Sequence, residues 1–453
     1  MKTFSNILAS ACCTLLALQS VAAITLDVND QNSIKQAAST AAYKMVSFYQ
    51  GNVSGATPGL LPQPYYWWEA GGMFGALIDY WYYTGDAQYN NITSQALLWQ
   101  VGPDKNYNPP NQSKDMGNDD QCFWAVAAMR AAEINFPNPP SDQPQWLALA
   151  QAVFNSEADR WDNTSCGGGL RWQVYPFEQG YNYKNSISNG CFFNLASRLA
   201  AYTLNTTYSD WAAKAWDWTY NVGLISSTYD IYDGSDDTLN CTEFNHIQWT
   251  YNSGIFTHGA ATMWNLTGDD IWKERAIGLW NASNVFFTGN ANQVMYEVAC
   301  EPQSNCDNDQ LSFKAYFSRW MAASLKVAPF LEASMKPYLI TSAQAAAQQC
   351  NGGSDGSTCG IHWTASTWDG TTGVGQQMSA LEVFQSLLID NVQGPLTHKT
   401  GGTSVGNPSA GTGGDTNPIS PTKSITGGDK AGAGIVTFLM IVGLISGAWW
   451  MIA

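Results

Sequence analysis

One kind of junction recurs along the chain and leaves few architectures open. Asp79-Tyr-Trp-Tyr-Tyr-Thr-Gly-Asp-Ala-Gln-Tyr89, Tyr202-Thr-Leu-Asn-Thr-Thr-Tyr-Ser-Asp-Trp211 and Met263-Trp-Asn-Leu-Thr-Gly-Asp-Asp-Ile-Trp272 each close an aromatic-rich apolar helix and open an amphipathic one. Gly or Asn at the turn takes the left-handed cap, and Asp or Thr then caps the next helix. The repeating unit is therefore a helical hairpin.

Periodicity extends the pattern over the whole middle of the chain. A more buried set of helices is expected near Glu69–Thr84, Asp119–Asn135, Ser186–Leu204, Ile247–Leu266, Asp309–Ala328 and Gln376–Asp390. A more amphipathic set is expected near Ser33–Gln50, Ala87–Gln100, Gln145–Trp161, Tyr208–Leu224, Asp269–Phe286 and Ser334–Cys350. Six buried helices alternating with six amphipathic ones are what an all-α (α/α)₆ barrel requires, the inner ring lining a pit and the loops at one end forming its rim. An open α-solenoid of the same hairpins is the alternative. This domain spans residues 24–390, and residues 391–427 read as a Ser/Thr/Gly/Pro-rich stalk too polar to bury a core.

The chain ends supply an address. Met1-Lys2, the apolar stretch Ile7–Val21 and the small residues Val21-Ala22-Ala23 form a signal peptide over residues 1–23. At the other end, Ile435–Ala453 is apolar, uncharged and without a basic flank, and small residues precede it. That is the form of a GPI signal, with attachment at Gly427 (Ser424, Gly428 and Asp429 are alternatives) and removal of residues 428–453. A plain C-terminal membrane anchor is the competing reading, since nineteen apolar residues reach across a bilayer.

In an oxidising compartment, the eight cysteines left after loss of Cys12 and Cys13 form disulfides, and the short separations point to Cys300–Cys306 and Cys350–Cys359. Glycosylation sequons stand at Asn52, Asn91, Asn111, Asn163, Asn205, Asn240, Asn265 and Asn281. The net charge of −16 argues against nucleic acid and anionic lipid, so the membrane is reached through a GPI lipid only. Twenty tryptophans in a chain only 12% charged, several of them in loops, suit the apolar faces of sugar rings.

Catalytic chemistry is looked for where inner helices begin. His246, His258, His362 and His398 have no metal-ligand spacing, so neither a metal nor a cofactor is expected, and no GxSxG elbow is present. The outstanding feature is Asp119-Asp120, at the opening of the second inner helix. Acidic residues there stabilise a helix start by roughly 0.5–2 kcal/mol, and capping alone explains one of them. Two carboxylates pointing about 100° apart can also flank a glycosidic bond.

Together with Tyr66-Trp67-Trp68-Glu69-Ala-Gly-Gly72, Gly168-Gly-Leu-Arg-Trp172, Tyr183-Lys-Asn-Ser-Ile-Ser-Asn-Gly190 and Trp249-Thr-Tyr-Asn-Ser-Gly254, this pair resembles glycoside hydrolase family 76. Within that family the chain is similar to the fungal GPI-anchored cell-wall mannan endo-1,6-alpha-mannosidases. The resemblance implies an (α/α)₆ barrel and retaining cleavage of α-1,6-mannosyl linkages, with Asp119 as nucleophile and Asp120 as general acid/base. It marks Trp67, Trp68, Arg171, Trp172, Lys184, Asn185, Asn189, Trp249 and Tyr251 as residues for holding mannose. The implied partners are mannan or a GPI-core glycan, with β-glucan as an acceptor if the sugar is transferred rather than hydrolysed. A non-catalytic mannan-binding protein would not need both aspartates, and a structural wall mannoprotein would not need a packed helical barrel.

Overall fold

The structure, a computed structural model, describes residues 24–112, 116–287, 293–412 and 427–452. Residues 1–23, read as a signal peptide, and the stretch 413–426, with Ser424, lie outside the described residues. Twelve helices alternate between an outer and an inner ring. The outer ring is α1 (Gln31–Val46), α3 (Asn90–Trp99), α5 (Trp146–Asp159), α7 (Thr206–Val222), α9 (Asp270–Ala282) and α11 (Glu332–Gln348). The inner ring is α2 (Trp67–Thr84), α4 (Asn118–Glu133), α6 (Ser186–Thr203), α8 (Thr250–Thr267), α10 (Phe313–Val327) and α12 (Val374–Ser386). Each inner helix packs on the next, and α12 packs back on α2, which closes the ring as an (α/α)₆ barrel and removes the open-solenoid alternative.

Burial explains the division. Every residue of α12 is buried, as a helix enclosed on all sides requires, whereas α9 buries only Trp272, Ala276, Leu279 and Trp280 on one stripe. The junctions follow the expected chemistry with one change. Gly85 and Gly268 take the left-handed conformation that ends α2 and α8. At the second junction Leu204 takes it instead, and Asn205 caps α7 by accepting from Thr207 N–H at 3.0 Å.

The inner helices carry a belt of charge below the rim. Asp79 of α2 pairs with Arg130 of α4 (2.6 Å) and Arg319 of α10 (3.2 Å), and Arg319 also pairs with Glu382 of α12 (2.6 Å). Glu133 of α4 holds Arg198 of α6 through two bonds at 2.7 and 2.8 Å, while Asn194 on α6 reaches His258 of α8 at 3.1 Å. A cavity of about 20 Å³, enough for one water, lies among them.

Cys122–Cys191 links α4 to α6 and Cys166–Cys241 links two loops near the rim, beside the expected Cys300–Cys306 and Cys350–Cys359. All eight sequon asparagines are exposed. A small antiparallel sheet, absent from the sequence reading, joins β1 (Tyr183–Asn185), β2 (Gly234–Asp236) and β3 (Phe244–Asn245) at the rim. Strands of two or three residues are too short for alternation to show.

The boundary at residue 390 is corrected. Residues 394–412 are a strap bound to the outside of the barrel. Leu396 N–H donates to Glu133 O (2.7 Å), Thr403 N–H to Asn135 Oδ1 (2.9 Å) and Asn407 N–H to Gln151 Oε1 (2.6 Å), and Asn155 Nδ2 donates to Ala410 O (2.8 Å). The composition buries little apolar surface, but its backbone hydrogen bonds replace that. Ser404 Oγ accepts Leu147 N–H at 2.9 Å and so caps α5, whose own N-cap residue Gln145 makes no such bond. Ser404→Ala is expected to cost about 1 kcal/mol of stability in denaturant melts, and no change would show that the strap does not cap α5. Beyond the strap, α13 (Gly427–Ile452) opens at Gly427 and exposes Ile435, Phe438, Leu444 and Trp449.

Candidate active site

The N-termini of the inner helices converge on one end of the barrel, where a cleft of two lobes opens. The smaller, about 290 Å³, is lined in part by Asp119, Asn185, Asp233, Asn245, Trp249 and Tyr251. The larger, about 640 Å³, is lined in part by Leu60, Leu61, Tyr65, Tyr66 and Trp67. Trp68, Asp120, Trp172 and Asp309 face both.

The first turn of α4 sets the paired aspartates. Gly117 N–H donates to Asp120 Oδ2 at 2.7 Å, Asp120 N–H to Asp119 Oδ1 at 3.0 Å, and Asn185 Nδ2 to Asp119 Oδ2 at 3.3 Å. Gly117 is required by space, because a Cβ there would collide with Asp119 Oδ1. The turn itself is held from three sides. Asn118 N–H donates to Trp172 O (2.8 Å), its Nδ2 donates to Arg171 O (2.8 Å), and Arg160 Nε donates to its Oδ1 (2.7 Å) while Nη2 of the same guanidinium bonds Gln121. Capping and catalysis are thus compatible here: one oxygen of Asp120 caps the helix, and both carboxyls still line the cleft.

Burial raises both acids. Asp119 is pushed well above the carboxylate range by desolvation, with the Asp120 charge adding to it, while Asn185 pulls the other way. Asp120 is raised to about 6 by burial, opposed by the Gly117 N–H. Burial and mutual repulsion therefore act together against the doubly ionised pair.

The aromatic candidates line the cleft. Trp67 lies against Trp124 with ring centroids 5.3 Å apart, Trp68 donates its indole N–H to Asp309 Oδ1 at 3.1 Å, and Tyr251 stacks on Phe313 at 3.8 Å. Trp172, Asn185 and Trp249 also line it.

Arg171, Lys184 and Asn189 do not, and their expected role in holding mannose is corrected. Arg171 is paired with Asp162 (2.8 Å) and Asp237 (2.6 Å). The Lys184 ammonium is fully buried and donates to the carbonyls of Asp162, Ser165 and Gly168 at 3.1, 2.9 and 2.6 Å. The turn closing around it needs glycine at Gly168 and Gly169, at φ 145° and 94°. Asn189 exchanges hydrogen bonds with the Leu170 backbone at 2.8 and 3.0 Å. All three support the loop that carries Trp172.

The sequence reading missed Asp233 and Asp309. Asp233 accepts the Tyr183 hydroxyl at 2.7 Å, and burial raises its pKa. Asp309 is raised to about 7, first by burial and then by Asp307. Its setting, Asp307-Asn-Asp-Gln310 before α10, repeats that of Asn118-Asp-Asp-Gln121 at α4 and was a usable signal. Glu69, itself raised to about 8 by burial, fixes that turn by accepting Asn308 Nδ2 at 2.6 Å.

Residues 33–399 match the description of glycosyl hydrolase family 76. The chain belongs to glycosyl hydrolase family 76. As a family 76 glycoside hydrolase it is similar to the Saccharomyces cerevisiae protein named mannan endo-1,6-alpha-mannosidase DCW1, at 46% identity over 440 residues covering 97% of each chain. Among solved structures, Dfg5 from Chaetomium thermophilum in complex with glucosamine superposes with a TM-score of 0.82 at 46% identity, covering 85% of this chain and 97% of that one. The GH76A alpha-1,6-mannanase from Salegentibacter sp. HEL1_6, at 18% identity and a TM-score of 0.63, covering 78% of this chain and 98% of its own, shares the fold.

Proposed function

We propose that this family 76 enzyme cleaves α-1,6-mannosyl linkages with retention and passes the mannosyl group to wall glucan, joining GPI-anchored mannoproteins to the fungal cell wall. The observation that carries the reading is the pair of buried carboxyls Asp119-Asp120, set side by side in the first turn of α4 on the cleft wall. The names of the relatives supply the substrate class, α-1,6-mannan, and the glucosamine seen with the Chaetomium protein fits a GPI-core donor, whose mannose chain begins on that sugar.

In the first half-reaction the carboxylate of Asp119 attacks the anomeric carbon, the C–O bond to the leaving sugar breaks, and Asp120 gives that oxygen its proton. In the second, a hydroxyl of the acceptor attacks the mannosyl ester, its proton passes to Asp120, and Asp119 is freed as carboxylate. Burial raises both acids, so the roles are not set by burial alone. Positive charge developing on a sugar ring beside Asp119 favours its ionised form and so moves the proton to Asp120. Trp68 and Trp172, facing both lobes, offer ring faces to the sugars on either side.

Plain endo-hydrolysis of α-1,6-mannan is the second reading, since water in place of the acceptor needs no other change. We place the enzyme on the outer face of the plasma membrane or in the wall, delivered by the signal peptide and held by a GPI lipid at Gly427. Incubating the purified protein with a GPI-core or α-1,6-mannoside donor, with and without β-1,6-glucan oligosaccharide, is expected to give donor–acceptor conjugates by mass spectrometry. Free mannosides alone at every acceptor concentration would leave the hydrolase, and no turnover at all would leave a mannan-binding protein.

A further inference from the structure

We infer that the loop of residues 162–168 is a binding site for a monovalent cation, filled in this chain by the Lys184 ammonium, and that the charge held there keeps the first turn of α4 in place. The inference rests on the proposed roles of Asp119 and Asp120 for its link to catalysis, though not for the site itself.

The site is a cage of oxygen. The carbonyls of Asp162, Ser165 and Gly168, one from every third residue, turn inward onto Lys184 Nζ at 3.1, 2.9 and 2.6 Å. Asp162 Oδ2 adds a fourth oxygen at 3.1 Å, and the Trp218 ring stands on another side, its centroid 6.0 Å away. Rings of backbone carbonyls are what replace the hydration shell of a potassium ion. Calcium takes its oxygens at about 2.3–2.6 Å. Three of the four here stand farther out, which suits potassium or ammonium.

The cage needs the charge as well as the bonds. Three carbonyl oxygens aimed at one point repel one another unless a cation sits between them. Asp162 pairs with Lys184 (3.1 Å) and Arg171 (2.8 Å), and Arg171 also with Asp237 (2.6 Å), so loss of Lys184 strands negative charge in a buried place. The loop has little room to relax. Gly168 lies against Trp161 and Trp218, and Cys166 is tied to Cys241. Its outer side, at Asn163, Thr164 and Gly167, is exposed, so a small ion reaches the cage through one thickness of chain.

Strand β1 joins the cage to the chemistry through three consecutive residues. Tyr183 O accepts Trp172 N–H at 2.6 Å, Lys184 fills the cage, and Asn185 Nδ2 donates to Asp119 Oδ2 at 3.3 Å. From the loop side, the carbonyls of Trp172 and Arg171 hold the N–H and Nδ2 of Asn118, both at 2.8 Å. The turn that bears Asp119 is thus gripped from β1 and from the caged loop, and the ammonium fastens those two together. Lys184 is a positioning residue that acts through Asn185, Trp172 and Asn118.

The test is chemical rescue of full-length glycosylated Lys184→Ala in ammonium, potassium or tetramethylammonium chloride at equal ionic strength. Cleavage of α-1,6-mannotetraose and thermal melts are followed together. In tetramethylammonium the variant's kcat should fall about a hundredfold, the cost of misplacing a reacting group by an ångström. Ammonium or potassium should restore about tenfold of that and raise the melting temperature, while the wild type responds to neither. Lys184→Gln, which fills the cage with a neutral amide, should stay slow in all three salts. Identical kcat and melting temperature of the alanine variant in the three salts overturns the cation site, as does wild-type kcat in Lys184→Gln. A melting temperature that recovers without kcat overturns the link to the acids. If the alanine variant does not fold in tetramethylammonium, folding restored by ammonium or potassium supports the site and no restoration overturns it. A wild type that cleaves no mannoside sinks the proposed function alone, and the melts still decide the cage.

Discussion

Asp119→Asn and Asp120→Asn are each expected to lower turnover of α-1,6-mannosides on the order of 10³-fold while the protein melts at or above the wild-type temperature. Both carboxyls titrate higher in the folded protein than the ordinary aspartate value of 3.8, Asp120 at about 6. The folded state thus binds more protons than the unfolded one above pH 4, and the contribution of these groups to stability falls as pH rises through their folded values. A neutral amide removes that cost, on the order of 1–3 kcal/mol at pH 7, and still accepts the Gly117 N–H. Protonating the second carboxyl removes the nucleophile, so wild-type kcat/KM should fall about tenfold per pH unit below pH 6. Full activity in either variant, or a profile flat down to pH 4, contradicts the roles given to the pair. Lower stability with activity retained would mark a helix cap and nothing more. Azide rescue of the alanine variants assigns the two roles: the nucleophile variant yields the β-mannosyl azide and the acid/base variant the α-mannosyl azide.

Arg319→Met is expected to be the most damaging substitution away from the cleft, at about 3–5 kcal/mol. Its guanidinium bonds Glu382 Oε1 at 2.6 and 2.9 Å, the Gly72 carbonyl at 3.1 Å and Asp79 at 3.2 Å. Asp79 keeps Arg130, but Glu382, with no exposed surface, keeps only the Gln385 amide at 3.0 Å. Burial already lifts Glu382 to about 7 against the pull of Arg319. Without Arg319 it folds neutral, so the variant should lose stability most at high pH. The double variant Arg319→Met with Glu382→Leu should recover much of the loss, since no buried charge is then stranded. Denaturant melts of the four proteins in the cycle test this, and an additive double variant would show that the pair is not coupled.

The alternation of helices was legible because the inner helices are richer in small and apolar residues than the outer ones and three of the junctions repeat the same capping pattern. Asp119-Asp120 was legible because two acids exceed what a cap needs. The rest was hidden for physical reasons. Arg171, Lys184 and Asn189 have the chemistry of sugar ligands, and only the fold shows that Asp162, Asp237 and backbone carbonyls already occupy them. Asp233 reaches the cleft from β2's neighbourhood, in a sheet too short to leave a pattern. The strap reads as a linker because composition records apolar burial and is blind to backbone hydrogen bonds.

That strap has a mechanical consequence. The barrel is closed by its last inner helix meeting its first, so α12 against α2 is the seam at which a pull on the C-terminal end would otherwise arrive. Between the seam and the end lie the bonds from Leu396 to Ala410. The bonds of Ser404, Asn407 and Ala410 fall at Leu147, Gln151 and Asn155, along the length of α5, so tension in line with that helix loads them together. A pull at residue 412 therefore meets α5 of the outer ring before it meets α12 of the inner one.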